Sequence, residues 1–221
     1  MLFRSASVFA CILAGLLWVS GLRLGIFGIG LSVGLVGLTA AILTSPYRVQ
    51  RFMVFLNPFA EDQYKLYGWQ PAHSLLGLAS GGLFGVGLGA SRQKWGNLAE
   101  AHTDFIFAVI GEELGLFGTL ATLLLLSILI FSIFKLALRA NDPMVRYVAS
   151  GFGVWIAIQT ILNIGSAISV LPVVGVTLPL VSYGGSALIA SYMGIGFVLG
   201  AARRDPVIYK ELKETGIRWL Q

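Results

Sequence analysis

The sequence predicts an all-α integral membrane protein with about six transmembrane helices, a large outer loop and a re-entrant outer segment. Three observations predict it. Of the 221 residues 57% are hydrophobic and only 11% are charged, against about 25% charged in an ordinary soluble domain, which is too few to cover a soluble surface. The apolar residues fall in runs close to the roughly 20 that a spanning helix needs. The charged residues gather mainly between those runs. Disorder is excluded by the abundance of Leu, Ile, Val and Phe and a net charge of only +5. The 28 glycines show no three-residue period, which excludes collagen. The basic surplus suits loops facing an anionic leaflet and requires no nucleic acid. The single cysteine, Cys11, has no internal disulfide partner and reads as a structural thiol in an apolar run.

Residues 7–21 form the first expected span and residues 24–43, which carry no charge, the second. Residues 44–70 read as a polar loop holding Pro46, Arg48, Arg51, Pro58, Glu61, Asp62 and Lys65. Residues 71–89 form the third span, diluted by His73 and by five glycines from Gly77 to Gly87. A second polar loop covers residues 90–103. The apolar stretch beyond it is too long for one span at about 1.5 Å per residue. It is read as a half-inserted helix over 104–113 and a full span over 116–136. After a polar turn at 139–146, residues 148–170 span again. Residues 171–185 are too rich in Pro and Gly for a regular helix. Residues 187–202 are the last span and 203–221 a cytoplasmic tail.

Alternating these loops places Arg23, Arg92 and Lys94 on one side and the other 12 of the 15 basic residues on the opposite side. The positive-inside rule makes the richer side cytoplasmic, with both termini inside. Arg4, the apolar run after it and the small Ser20 and Gly21 also mimic a signal peptide. Cleavage there would leave the later topology unchanged.

The 90–103 loop and the 171–185 segment then share the outer face. Three carboxylates, Asp104, Glu112 and Glu113, flank an apolar run at that boundary. A charge at membrane depth costs at least about 2.5–3.5 kcal/mol and usually faces a polar cavity. On a helix over 104–113, Asp104 and Glu112 share one side while Glu113 points away. Two compatible readings stand for Asp104, a helix N-cap and a catalytic carboxylate; the two glutamates read more readily as members of a buried polar network. Arg92 and Lys94, beside Trp95, suit lipid phosphate or an interfacial anchor belt. His102 and His73 lie on different segments, short of the three or four ligands that zinc needs. Mg²⁺ held by Asp104 and a substrate phosphate is a better match. Ser182, Tyr183, Ser186 and the exposed amides near them suit sugar or pyrophosphate oxygens, or a re-entrant plug that only supports packing. The Gly85-Val-Gly87-Leu-Gly89 run lacks the strand of a dinucleotide fingerprint and reads as close helix packing.

Three stretches together resemble the SEDS family (shape, elongation, division and sporulation), the FtsW and RodA group. They are Phe84-Gly-Val-Gly-Leu-Gly-Ala-Ser-Arg-Gln-Lys94, Glu100-Ala-His-Thr-Asp-Phe-Ile-Phe-Ala-Val-Ile-Gly-Glu-Glu-Leu-Gly115 and Gly175-Val-Thr-Leu-Pro-Leu-Val-Ser-Tyr-Gly-Gly-Ser186. Arg48 and Arg51 before Phe55-Leu-Asn-Pro58, then Gln70, Ser74 and Asn163, fit the same pattern. The Ile-Gly-Glu-Glu-Leu-Gly wording leans towards FtsW. Two departures stand out. Ala99 replaces a proline usual in the family, which frees φ in the outer loop. The chain also resembles only the last six of the family's roughly ten spans, so the expectation is a fragment or a truncated reading frame.

The resemblance implies a peptidoglycan glycosyltransferase that polymerises lipid II at the outer face of the cytoplasmic membrane during cell division, with inversion at the anomeric carbon. Asp104 falls on the family's catalytic position. Arg92, Lys94, His102, Glu112, Ser182, Tyr183 and Ser186 are the expected substrate-binding residues. A divalent cation, Mg or Mn, is the expected cofactor, with no organic cofactor. The expected partners are a class B penicillin-binding protein transpeptidase and other divisome membrane proteins. The rival readings are a lipid II flippase, a RodA-like elongation enzyme and a non-catalytic membrane partner. A transporter calls for charges distributed through the bilayer, whereas Asp104, Glu112 and Glu113 cluster at the outer side.

Overall fold

The computed structural model describes residues 2–19, 24–44, 49–50, 53–54, 57–96 and 98–214. The motif residues Arg48, Arg51 and Phe55 lie outside the described residues, as do Arg23, the side chain of Cys11 and the end of the tail from 215 on. Every regular element among the described residues is helical. The elements are α1 (Leu2–Val19), α2 (Leu24–Leu43), α3 (Glu61–Tyr64), α4 (Trp69–Gly81), a 3₁₀ turn at Gln93–Trp95, α5 (Ile106–Arg139), α6 (Pro143–Ala167), α7 (Gly185–Arg204) and α8 (Pro206–Glu214).

Three of these, α5, α6 and α7, are long and apolar enough to cross a membrane among the described residues. The protein is an integral membrane protein. α2 adds an uncharged 20-residue helix. The third expected span, over 71–89, is not one continuous helix. α4 stops at Gly81 after 13 residues, and Gly82 follows at φ 53°, a left-handed exit that glycine takes at little cost. Thirteen helical residues rise only about 20 Å, short of a roughly 30 Å hydrocarbon core.

α6 is the central helix, with half of its most apolar stretch buried against 17% for α5 and α7. It packs on α5, α1, α7 and α4. Its start is written in the sequence: the Asp142 side chain accepts from Met144 N at 2.8 Å and Pro143 follows, an N-cap with proline at the first helical position. Small residues set the packing distances. A side chain at Gly81 would collide with the Gly111 main chain, so α4 meets the start of α5 at backbone distance.

α5 is two helices joined at Gly115 (φ 67°, ψ −159°). The break frees main-chain groups that water cannot satisfy in the bilayer, and the 82–87 loop satisfies them. Val86 N donates to Glu112 O (2.9 Å), Gly87 N to Glu113 O (3.1 Å) and Leu116 N to Gly82 O (2.9 Å). Phe117 N points to Leu83 O at 3.4 Å. A Cβ at Gly115 would strike Gly85 N and Leu83 O. The sequence separates a short helix over 104–113 from a span over 116–136; in the structure the two helical parts run from Ile106 to Gly115 and from there to Arg139.

At the opposite end Asp205 ties two junctions together. It is buried, and its Oδ2 accepts from Asn141 N (2.7 Å) and Asp142 N (2.9 Å). Oδ1 accepts from Val207 N (3.0 Å) and Ile208 N (3.3 Å). One carboxylate thus caps α8 and clamps the α5–α6 turn.

Candidate functional site

The residues before α5 are stitched to the 171–185 segment one carbonyl at a time. Tyr183 N donates to His102 O at 2.9 Å. The Ser182 hydroxyl donates to Thr103 O and accepts from Leu178 N. Asn163 Nδ2 donates to Asp104 O at 2.8 Å and to Val176 O at 2.7 Å. Asp104 N donates to Glu100 O at 3.0 Å. Asp104 itself is half-buried, and Phe105 stands at the N-cap position of α5 without a side-chain cap bond. The main chain of Asp104 is therefore fixed on both sides, its carbonyl by the fully buried Asn163 and its N–H by the Glu100 carbonyl.

The strand-like 171–178 stretch has no helix, as Pro172, Gly175 and Pro179 require. Strain concentrates around it. The non-glycine residues with positive φ among the described ones are Glu100 (56°), Ser169 (53°) and Leu180 (63°). Each sits in or beside these two segments, and such conformations cost about 1–3 kcal/mol and persist only where the surroundings impose them. Their clustering marks this end as one whose shape is set by something other than local stability.

A second cluster holds the cations. Glu112, only 1% exposed, accepts from Arg92 N (3.1 Å) and Gln93 N (3.2 Å) and from the hydroxyls of Ser91 and Ser80. These four donors replace its hydration. Glu113 lies 3.7 Å from Lys94 Nζ, and Lys94 Nζ also stands 5.8 Å from the Trp95 ring centroid, within cation–π range. Arg92, Lys94 and Trp95 are exposed.

The sequence expectations sort accordingly. The structure brings His102 and Asp104 to Ser182 and Tyr183, with the His102 and Tyr183 rings edge-on at 5.9 Å. Arg92 and Lys94 gather around Glu112 and Glu113. Asp104 and Glu112, expected on one cavity, face different surroundings, because Glu112 is sealed among donors of the 80–93 loop. The Ser182 hydroxyl is used up inside the fold, whereas Tyr183 and Ser186 are exposed. Asn163, which holds the Asp104 main chain, has no local sequence signal beyond a polar residue in an apolar helix. No group of three or more His, Cys, Asp or Glu residues able to hold a metal occurs among the described residues, so a cation there would have Asp104 as its protein ligand together with substrate oxygens and water. That suits Mg²⁺, which keeps several waters and binds through one or two carboxylates and substrate phosphates.

A model of the FtsW/RodA/SpoVE cell cycle proteins matches residues 3–206. A probable peptidoglycan glycosyltransferase FtsW of Tolumonas auensis is 45% identical over 188 residues, 84% of this chain and 48% of its own length. The stage V sporulation protein E of Bacillus subtilis is 42% identical over 188 residues, 85% of this chain and 51% of its own. A solved structure described as structural coordination of polymerization and crosslinking by a peptidoglycan synthase complex superposes with a TM-score of 0.69 at 29% identity, over 91% of this chain and 56% of that one. The chain thus spans about half the length of the curated relatives it matches.

Proposed function

Because this chain belongs to the FtsW/RodA/SpoVE family of cell cycle proteins, we propose that it carries the outer-face reaction centre of a peptidoglycan glycosyltransferase. The reaction is polymerisation of lipid II into glycan strands during cell division. The observation that carries this reading is the fixing of three consecutive residues, His102, Thr103 and Asp104, to Tyr183, Ser182 and Asn163. It sets one carboxylate at a defined place between two irregular segments.

The chemistry follows from the residues. The acceptor sugar hydroxyl must lose a proton as its oxygen attacks the anomeric carbon of the donor. The Asp104 carboxylate takes that proton, a role worth about 10²–10⁴-fold. The C–O bond to the undecaprenyl pyrophosphate breaks as the new one forms on the opposite face, so the centre inverts. Charge grows on the departing pyrophosphate, and Arg92 and Lys94 offset it. Lys94 reaches that role by exchanging its Glu113 contact for phosphate. His102 and Tyr183 offer a ring edge and hydrogen-bonding groups to the sugars. Asp104 would be the protein ligand of a bound divalent cation, which would supply Lewis acidity toward the leaving pyrophosphate.

The membrane is the bacterial cytoplasmic one, with both termini inside, on the distribution of Lys and Arg. The partner is a class B penicillin-binding protein that cross-links the new glycan, supported by the similarity to a chain from a complex that couples polymerisation to cross-linking. The test is Asp104→Asn with labelled lipid II in lipid. Polymer formation falls by at least about 10²-fold while lipid II binding stays. Lost lipid II translocation with intact polymerisation would favour a flippase instead.

A further inference from the structure

At the end of the bundle that carries Arg203 and Arg204, α6 and α7 part to leave a groove of about 340 Å³ whose lining includes Asp142, Met144, Gly196, Gly200 and Arg204. It has no place in the glycosyl-transfer chemistry. Two of its glycines, Gly196 and Gly200, sit one helical turn apart, and a Cβ on either would meet nothing within 4 Å. The floor is open space rather than close helix contact. Its two charged residues are of opposite sign. Asp142 uses Oδ1 to cap α6, and Oδ2 has no protein partner among the described residues. The Arg204 guanidinium has none either, and both residues are exposed.

We propose that this groove is a binding site for a zwitterionic glycerophospholipid, with one acyl chain over Gly196 and Gly200, the phosphate on Arg204 and the ammonium on Asp142. Three physical points single out that occupant. The groove opens at the polar end of membrane-spanning helices, where lipid headgroups lie. Its volume corresponds to roughly ten water-sized groups at about 30 Å³ each, which suits part of one acyl chain. A helix with side chains is about 10–12 Å across and needs far more room. A lone anionic headgroup would satisfy Arg204 and be repelled by Asp142, whereas a headgroup bearing both charges satisfies both.

The test is native mass spectrometry of the chain released from nanodiscs of equal phosphatidylethanolamine and phosphatidylglycerol. One phosphatidylethanolamine per chain is expected to survive release. Arg204→Gln and Asp142→Asn, the second keeping a capping side chain, should each reduce that adduct at least about tenfold, the loss expected for one charge-assisted contact. Gly200→Leu should fill the groove and displace the lipid without lowering the unfolding temperature. Equal retention of phosphatidylglycerol, retention unchanged in the variants, or no retained lipid would each overturn the assignment. So would cross-linking of a probe at Met144 to polypeptide in place of lipid. Lipid II polymerisation does not enter these readouts, so their failure leaves the glycosyltransferase proposal standing.

Discussion

The carboxamide of Asn163 joins two segments that are far apart in sequence: its Nδ2 is 2.8 Å from the Asp104 carbonyl oxygen and 2.7 Å from that of Val176. Asn163 is fully buried and its Oδ1 has no donor among the described residues. The link from Asp104 to Val176 therefore runs through the two N–H groups of one side chain.

Asn163→Asp removes both donors and sets a carboxylate against two carbonyl oxygens. Polymerisation is expected to fall about 10²-fold, as displacing reacting groups by about 1 Å can do. The check is rate per folded molecule. A loss only in proportion to the unfolded fraction would make Asn163 a packing residue.

Gly115→Ala forces a Cβ into Gly85 N and Leu83 O at φ 67°. With ψ −159° this backbone lies in a region essentially confined to glycine, at a cost of about 1–3 kcal/mol for other residues, and the collision adds to it. Gly85→Ala strikes Glu113 O in the same contact. The double variant is expected to lose less stability than the two single losses added together, measured by denaturant unfolding in detergent.

Glu112→Leu strands the Arg92 and Gln93 amides and the Ser91 hydroxyl, at about 1–3 kcal/mol for each buried group left unpaired. Glu112→Gln keeps an acceptor and loses less. Protease cleavage in the 90–100 loop should rise steeply for the first and modestly for the second. Equal cleavage in both would show that the loop does not depend on this carboxylate.

Asp205 sets a pH dependence. Burial raises its pKa, but main-chain donors at Asp142, Ile208, Asn141 and Val207 outweigh it and hold the carboxyl below its ordinary 3.8. A lowered folded pKa gives stability that is fully present above the unfolded value and is lost as pH falls through the folded one. Asp205→Asn should therefore be less stable than the parent at pH 7, and the gap should narrow as pH drops below 3.8. A gap independent of pH would contradict the clamp.

The membrane class and the break near Gly115 were legible because hydropathy and a run too long for one span are composition-level signals. The end of α4 at Gly81 was not, since apolar glycine-rich sequence suits either a close-packed helix or a loop until its hydrogen-bond partners are known. Ser182 read as a ligand-facing hydroxyl, yet its neighbours Leu178 and Thr103 consume it, a tertiary fact with no local trace. Asp205 passed as part of a polar tail. Its signal was present, an Asp-Pro pair after an apolar run, which is the start of a capped helix.

The most direct measurement is polymerisation of labelled lipid II by residues 1–221 joined to the N-terminal half of a full-length relative, compared with Asp104→Asn and Asp104→Glu in the same chimera. The account predicts at least about a 10²-fold loss in Asp104→Asn, partial recovery in Asp104→Glu, and lipid II binding within a few-fold of the parent. Polymer made by Asp104→Asn at the parent rate would contradict it.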